Sequence, residues 1–517
     1  MSPRRTRSYL YRNPVSYLGG GFVTIGVFLL VLSLLMELSV KSPGPYFGIV
    51  TFLVLPSVII FGIVVVLFGM RRESLRRRRL GTNEALPYPA LDLNDPSHRR
   101  WFVLTGAGVS ALFMFLTFAL YNGIEVTESV SFCGSACHTP MRPEATAYAH
   151  SPHARVPCVD CHVGNGAGWY IHAKVNGMRQ LAGVVFNTYD RPIPTPVKGL
   201  RPARDTCESC HWPQKRWGSQ LYQRPHFRYD EASTPEQITM LIKTGGGDGA
   251  YGSGIHSHMA TGNEVSFVAE DDHLQEIPWV KVTRTDGTSL EYFRIEKRVD
   301  AETLATLKPH RMDCMDCHNR PAHNFVMPDV AVDRALAAAV ISQTLPWAKS
   351  VAVDTLSKEY ATTEAAHDGM RKAITSYYAQ KYPEIATARV ADISRFADAL
   401  QGIYDDNVFP DMKVSWRTYP SNIGHRNSAG CFRCHDGKHV AAGGTVLTND
   451  CQACHTMPRR GPQSGMGEAM TSSEKDWHPW QTPEKHLAVE KHKEILCHEC
   501  HIAGRKPKTE CNECHSH

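Results

Sequence analysis

The sequence has almost no excess charge of either sign. Its formal net charge is +5 over 517 residues, too mild to favour a nucleic-acid partner. It also has no solitary cysteine. All 16 fall into closely spaced pairs, and none precedes residue 133. Charge is missing altogether from two long stretches, Phe47–Met70 (24 residues) and Trp101–Tyr121 (21 residues), and Leu18–Leu38 carries only Glu37. About 20 such residues cross a hydrocarbon core, and three runs of this length argue against buried core helices. The first run is too long, and too poor in small residues at its end, for a cleaved signal peptide.

What flanks these runs sets a direction. Arg4, Arg5, Arg7 and Arg12 precede the first. Arg71, Arg72, Arg76, Arg77, Arg78, Arg79, Arg99 and Arg100 lie between the second and third, while the loop between the first two carries only Lys41. Basic loops stay in the cytoplasm. The N-terminus is therefore expected inside, and everything after Tyr121 outside the inner membrane of a bacterium, in the periplasm. The block Arg76–Arg79 reads as a topology determinant that also touches anionic lipid.

The cysteine pairs share one further feature: each is followed at once by histidine. Seven are strict C-x-x-C-H: Cys158/Cys161/His162, Cys207/Cys210/His211, Cys314/Cys317/His318, Cys431/Cys434/His435, Cys451/Cys454/His455, Cys497/Cys500/His501 and Cys511/Cys514/His515. The eighth, Cys133/Cys137/His138, has one extra residue between its cysteines. Two thiols can add to the two vinyl groups of one porphyrin, and the next residue then lies under the iron as an imidazole ligand. Zinc sites and disulfides also use cysteine pairs, but neither demands a histidine after every second cysteine. Eight covalent haem c groups are the expectation, all on the side of the membrane where such haem is attached.

The organisation follows from these landmarks. Residues 1–121 form an anchor with three transmembrane helices at 18–38, 47–70 and 101–121. Residues 122–211 carry motifs one to three, and 212–313 are an insert in which WVKVTRT and SLEYFRI flank Asp286-Gly287, a β-hairpin signal. The fourth motif lies in 314–327. Residues 328–424 form a cysteine-free helical spacer, with Val332, Leu336 and Val340 on one face, Ile393, Phe396, Leu400 and Ile403 on another, and Asp329 as N-cap. Residues 425–517 hold four motifs, interrupted by a polar Gly-, Pro- and Ser-rich linker from Gly461 to Thr482. The fold class expected is mainly α with much irregular structure: a membrane anchor, then a periplasmic multihaem cytochrome c domain with a small β insert.

Each iron takes a second axial ligand or keeps an open position. Histidine there gives low-potential electron transfer, methionine raises the potential, and a vacancy permits catalysis. Eighteen histidines lie outside the motifs. The sixth-ligand candidates are His153, His226, His256, His258, His323, His425, His439, His478, His486 and His492, with His153, His323, His425 and His439 foremost.

Several of these residues carry a resemblance. Met141 follows the first motif, Ser151-Pro152-His153 leads into Cys158-Val159-Asp160-Cys161-His162-Val163, and CHNRPAH ends the fourth motif at His323. The pattern resembles the NapC/NirT family of membrane-anchored multihaem quinol dehydrogenases over roughly 101–211 and 314–323. The resemblance implies a first haem against the membrane, a quinol beside it, His323 as ligand to a neighbouring haem, and Lys174 in the quinol pocket; a lysine snorkelling to headgroups is the other reading of Lys174. The family usually has C-x-x-C-H-x-M, so the longer loop here leaves His138 and Met141 as alternative ligands of the first iron. An acidic residue of the family falls near Gln180, and the insert and last four motifs exceed its four-haem pattern. Similar enlarged forms serve as inner-membrane electron-exit cytochromes of metal-reducing bacteria.

Together these readings lead to oxidation of a membrane quinol, menaquinol in the first instance, with electrons passed to periplasmic c-type cytochromes or an outer-membrane conduit. The altered first motif then reflects different ligation at the haem that meets the quinol. The alternatives are a relay subunit fed by a separate quinol-oxidising partner, and a terminal reductase acting on a small oxyanion.

Overall fold

The computed structural model describes residues 9–39, 54–81, 92–136, 138–164, 167–197, 199–212, 218–246, 254–259, 263–284, 286–297 and 301–461. It divides into two units. One comprises Met1–Ser129 with Cys158–Gln180, the other Val130–Pro157 with Leu181–His517.

The first unit is helical. The first apolar run lies in α1 (Pro14–Ser39) and the second in α2 (Leu55–Leu80). Ser16 Oγ bonds the Val66 carbonyl at 3.2 Å, and Gly26 lies against Ile59, so the pair runs antiparallel. A Cβ on Gly19 would lie 2.7 Å from the Gly62 carbonyl oxygen, and one on Gly62 would lie 2.9 Å from that of Gly19. Glycine here lets two backbones touch, the device by which helices associate where no water drives them together. Large residues point outward instead: Phe28 is 67% and Ile60 62% exposed. At the basic end Glu73 pairs with Arg76 at 2.7 Å and Arg77 at 2.9 Å, and Arg77 also donates to the Tyr9 carbonyl.

The third run folds within a longer helix, α3 (Pro96–Glu128), started by Asp95, whose carboxylate accepts from the Ser97 amide. Among the described residues, two helices and not the expected three are long and apolar enough to cross a membrane: Pro14–Ser33 and Leu55–Leu80. Helix α3 extends past its apolar stretch on both sides, from Ser97, His98, Arg99 and Arg100 to Glu125 and Glu128. The helix α4 (Ala167–Val185) carries Lys174.

The second unit mixes sheet and helix. Strands β1 (Gln220–Phe227), β2 (Pro235–Ile242), β3 (Glu264–Val268), β4 (Trp279–Thr283), β5 (Ser289–Arg294), β6 (His310–Arg311), β7 (His439–Ala441) and β8 (His455–Gly461) form two antiparallel sheets, ordered β1-β2-β8 and β6-β3-β4-β5-β7. The Asp286-Gly287 turn joins β4 to β5, with Gly287 at φ +80° and Asp286 accepting from the Thr288 amide. Each sheet takes an edge strand from the C-terminal haem segment, β8 or β7, so insert and haem segment are woven together.

Helices α5 (Pro328–Ala337), α6 (Ala348–Leu356), α7 (Thr363–Lys381) and α8 (Val390–Asn407) enclose the main apolar core, where Val332, Leu336, Phe396, Leu400 and Tyr378 are fully buried. Two sequence expectations are corrected here. Met327, not Asp329, is the N-cap of α5, because Pro328 takes the first helical position, where its missing N–H costs nothing. Val340 is 54% exposed, because α5 ends at Ala337 and no helical face continues to it. Asp329 is instead buried and paired with Arg426. Buried Lys349 meets Asp333 at 2.7 Å, and Asp333 also accepts from the Phe227 amide at 3.0 Å, tying β1 to these helices.

Candidate functional site

Short turns set the geometry of the cysteine motifs. In four of them the histidine amide bonds back to the carbonyl of the first cysteine: His211 to Cys207 (2.7 Å), His318 to Cys314 (2.8 Å), His435 to Cys431 (3.0 Å) and His455 to Cys451. This one bond puts the first thiol and the imidazole at a fixed offset. Asp313 and Asp450 cap two of these turns, and Asp313 with Asp316 forms a reciprocal capping box. The fifth motif sits on the 3₁₀ turn Gly430–Arg433, the second on the helical turn Cys158–His162. Cys158/Cys161, Cys207/Cys210, Cys314/Cys317, Cys431/Cys434 and Cys451/Cys454 are not joined as disulfides. Among the described residues no group of three or more His, Cys, Asp or Glu side chains converges as a metal-ion site.

The third motif departs from its neighbours at Cys210, which the sequence assigns to thioether attachment. In the second, fourth and sixth motifs both cysteines share one helical turn, whereas the helix of the third, Ala203–Cys207, stops at its first cysteine. Cys210 therefore lies beyond the helix end; it is exposed, as are Cys161 and Cys317. Its amide bonds the Cys207 carbonyl at 3.1 Å, and its sulfur accepts only a weak, 3.8 Å contact from Ser209 Oγ. The backbone still curls back on Cys207, and the sulfur stands open to a porphyrin vinyl group.

The first motif differs in backbone as it does in sequence. Phe132–Ala136 form a π-helical turn, after which His138–Ala149 is an α-helix carrying Met141. A π-turn holds one more residue than an α-turn. The extra residue between Cys133 and Cys137 is therefore absorbed locally. Cys137 and the His138 side chain lie outside the described residues, as do Cys497, Cys500, His501, Cys511, Cys514, His515 and the candidates His478, His486 and His492.

Four motif histidines face a second histidine at nearly one separation. Ring centres are 6.0 Å apart for His153 and His211, 6.3 Å for His256 and His318, 5.8 Å for His258 and His435, and 6.2 Å for His425 and His455. An iron held on both faces by imidazole nitrogens, at metal–nitrogen distances of about 2 Å, sets the ring centres roughly 6 Å apart whatever the twist between the rings. The twist does vary, from 13° to 87°. The other ring nitrogen is used as a ligating histidine uses it, donating to a carbonyl and fixing the tautomer. His256 Nδ1 donates to Thr244, His258 Nδ1 to Ile255 and His435 Nδ1 to Thr448, all at 2.6–2.7 Å. His153 Nδ1 donates to Pro321 at 3.3 Å. Burial holds His435 and His455 below the ordinary histidine pKa, in the neutral form that offers a lone pair.

The sulfurs also suit thioether linkage, which carries no charge. Burial, with Cys431 nearby, pushes the Cys317 thiol up to about 11, and burial pushes Cys434 up to about 12. Consecutive motifs are close in space: Cys207 hydrogen-bonds Cys314, lowering its pKa, and Arg433 of the fifth motif donates to the Asp316 carbonyl of the fourth at 2.6 Å. Cys454 of the sixth motif lies near Cys431 of the fifth, so motifs three to six are successive neighbours, and the residues present fit covalent haem.

One candidate leaves the ligand set. His439 is fully buried with both ring nitrogens engaged, Nδ1 on Asp436 and Nε2 on the Ile277 carbonyl, each at 2.8 Å, so the expectation that it binds iron is corrected. His226 is buried with Nδ1 3.4 Å from Asp333, in the Lys349 ion-pair network. His323 Nδ1 donates to the Glu144 carbonyl at 3.0 Å, beside the ion pair of Arg320 and Glu144.

In the first unit Lys174 converges with residues that carried no sequence signal of their own. Its Nζ lies 3.3 Å from Thr127 Oγ1, 3.9 Å from Glu128 Oε1 and 5.0 Å over the Tyr170 ring. Glu128 is buried, and burial with Glu128 nearby raises the Tyr170 pKa. A cation, a carboxylate and a phenol thus meet where α3 ends.

Comparison with known proteins bears on this geometry. Residues 95–193 match the NapC/NirT cytochrome c family, N-terminal region. The chain is 40% identical over 458 residues to the cytochrome c-type protein ImcH of Geobacter sulfurreducens, covering 88% of this chain and 90% of that one. The chain belongs to the NapC/NirT cytochrome c family. No solved structure matches it. It is a membrane-associated multihaem c-type cytochrome with covalent haem c, and its work is electron transfer. Glu128 and Tyr170 escaped sequence reading. The only available signal was the position of Glu128 just beyond the third apolar run.

Proposed function

We propose that this cytochrome oxidises membrane quinol and passes the electrons along eight covalent haems to a periplasmic c-type cytochrome or an outer-membrane conduit. The observation that carries the reading is the set of four histidine pairs spaced for two-sided iron ligation at motifs three to six. Haem c with histidine on both faces supplies reversible one-electron transfer at low potential. On this reading the basic flanks before α1 and after α2 are cytoplasmic, and the motifs lie in the periplasm, where covalent haem c is attached. Lys174 orients the quinol oxygen and stabilises its developing negative charge. Glu128, 3.9 Å from Lys174, is placed to accept a quinol proton. At the first motif His138 and Met141 stand as the alternative iron ligands.

The test is quinol-driven reduction of the purified protein, with haem content measured on the same sample. Lys174→Gln should slow reduction by quinol at least tenfold and leave dithionite reduction and haem content unchanged. Unaltered quinol kinetics would remove Lys174 from the site.

A second reading is a relay subunit fed by a separate quinol-oxidising protein. The cysteine-free helices favour it, since they have a core of their own and a surface free of haem motifs. Protein that no quinol reduces until a partner is added would select it. A terminal reductase would need an iron with an open face, whereas these four histidine pairs cover both.

A further inference from the structure

Residues Gly254 to Met259 read GIHSHM and lie in the insert, outside every cysteine motif. Ile255–Met259 form a single 3₁₀ turn. With three residues per turn, side chains two apart diverge by about 120°. His256 and His258 therefore leave one turn in different directions. His256 faces His318 of the fourth motif at 6.3 Å between ring centres, and His258 faces His435 of the fifth at 5.8 Å. The two targets are 117 residues apart in sequence. Each donor ring is locked by its own carbonyl, Thr244 for His256 and Ile255 for His258, which leaves both Nε2 atoms to bind metal.

The turn is itself anchored. The Ile255 amide donates to the Lys243 carbonyl at 2.8 Å, and the Gly254 amide to the Gly245 carbonyl at 3.0 Å. A Cβ on Gly254 would lie 2.3 Å from the Lys243 oxygen, so only glycine permits this approach. The Lys243 amide in turn bonds the carbonyl of Cys454, in the sixth motif.

We infer that His256-Ser257-His258 is a double clamp, with His256 the sixth ligand of the haem attached at Cys314 and Cys317, and His258 the sixth ligand of the haem attached at Cys431 and Cys434. One tripeptide thereby fixes two neighbouring irons against each other, and the insert is the brace that joins the fourth haem motif to the C-terminal haem segment. The inference rests on covalent haem at these two motifs and not on quinol as the electron donor.

The test uses the full chain with its haems, in three variants: His256→Gly, His258→Gly and the double. Thioether attachment does not depend on the sixth ligand, so haem content per chain stays constant. Each single variant should convert one low-spin haem to high-spin in the EPR and optical spectra, and the double variant two. Added imidazole should restore the low-spin signal, a rescue that general misfolding would not give. His273→Ala, an exposed histidine of the same insert, should change nothing. Unchanged low-spin counts in both single variants, at full haem content, overturn the clamp. Haem content short by one at motif four or five in the parent protein would instead overturn the attachment on which it rests.

Discussion

The α1–α2 pair and the cysteine-free helices α5–α8 are both built from apolar helix faces, and they use residue size in opposite ways. In α5–α8 the large side chains point inward: Leu336, Phe396 and Leu400 are fully buried. In α1–α2 glycines meet at the contact, and Phe28 and Ile60 point away from it. The first arrangement is the answer to water, where burying large apolar surface drives folding. The second suits hydrocarbon, where outward Phe and Ile cost nothing and close backbone approach supplies the attraction. Hydrophobicity alone does not separate the two regions. The size of the residue at the helix contact does.

Substitutions can break or sharpen that contrast. The largest effect is expected at Leu400→Ala in α8, which should destabilise the second unit by about 2–5 kcal/mol through lost burial and an unfilled cavity. Denaturant unfolding would measure it, and a cost under about 1 kcal/mol would mean that this core is not the water-driven kind. Next comes Gly62→Leu in α2. With 2.9 Å between an added Cβ and the Gly19 carbonyl, it should weaken the helix pair by about 1–3 kcal/mol, an overpacking effect. Phe28→Ala, on the outward face, should leave the pair intact. Cysteine crosslinking of α1 to α2 in detergent would compare them, and equal loss in both would end the lipid-facing interpretation. The smallest effect concerns His310, at the edge of the water-facing sheet. Its hydrogen bond to Asp316 at 2.9 Å raises its pKa above the ordinary value. A raised base stabilises the fold fully below its unfolded pKa, about 6.5, and loses that contribution as pH rises through the folded value. His310 is half exposed, so the amount is under about 1 kcal/mol. The thermal midpoint of His310→Asn should match wild type above pH 8 and fall below it near pH 5; a constant gap at all pH would refute the linkage.

Much of the site was legible in the chain. The motif histidines, the Asp286-Gly287 hairpin turn and the helical character of 328–407 all depend on near neighbours. The misses have physical causes. Val340 fits the period of α5 but lies past its end, since periodicity does not register where a helix stops. His439 looked like a ligand because it follows a haem motif closely. Its two nitrogens are taken by Asp436 and by Ile277, the latter 162 residues away. His256 and His258 drew less weight than His439 because nothing near them in sequence binds haem. Lys174 was noted by resemblance alone, and its carboxylate partner lies 46 residues earlier on another helix.

By itself the sequence determined where each cysteine pair meets its histidine and where the apolar runs lie. Both are set within one short turn or one continuous run, where the chain's own covalent geometry fixes the spacing. The tertiary structure decided which histidine stands opposite which, and which carboxylate meets Lys174. A second histidine reaches its partner ring from 30 to 177 positions away in the chain. No local pattern encodes such a meeting; it exists only once sheets and turns have brought the two rings to a common distance.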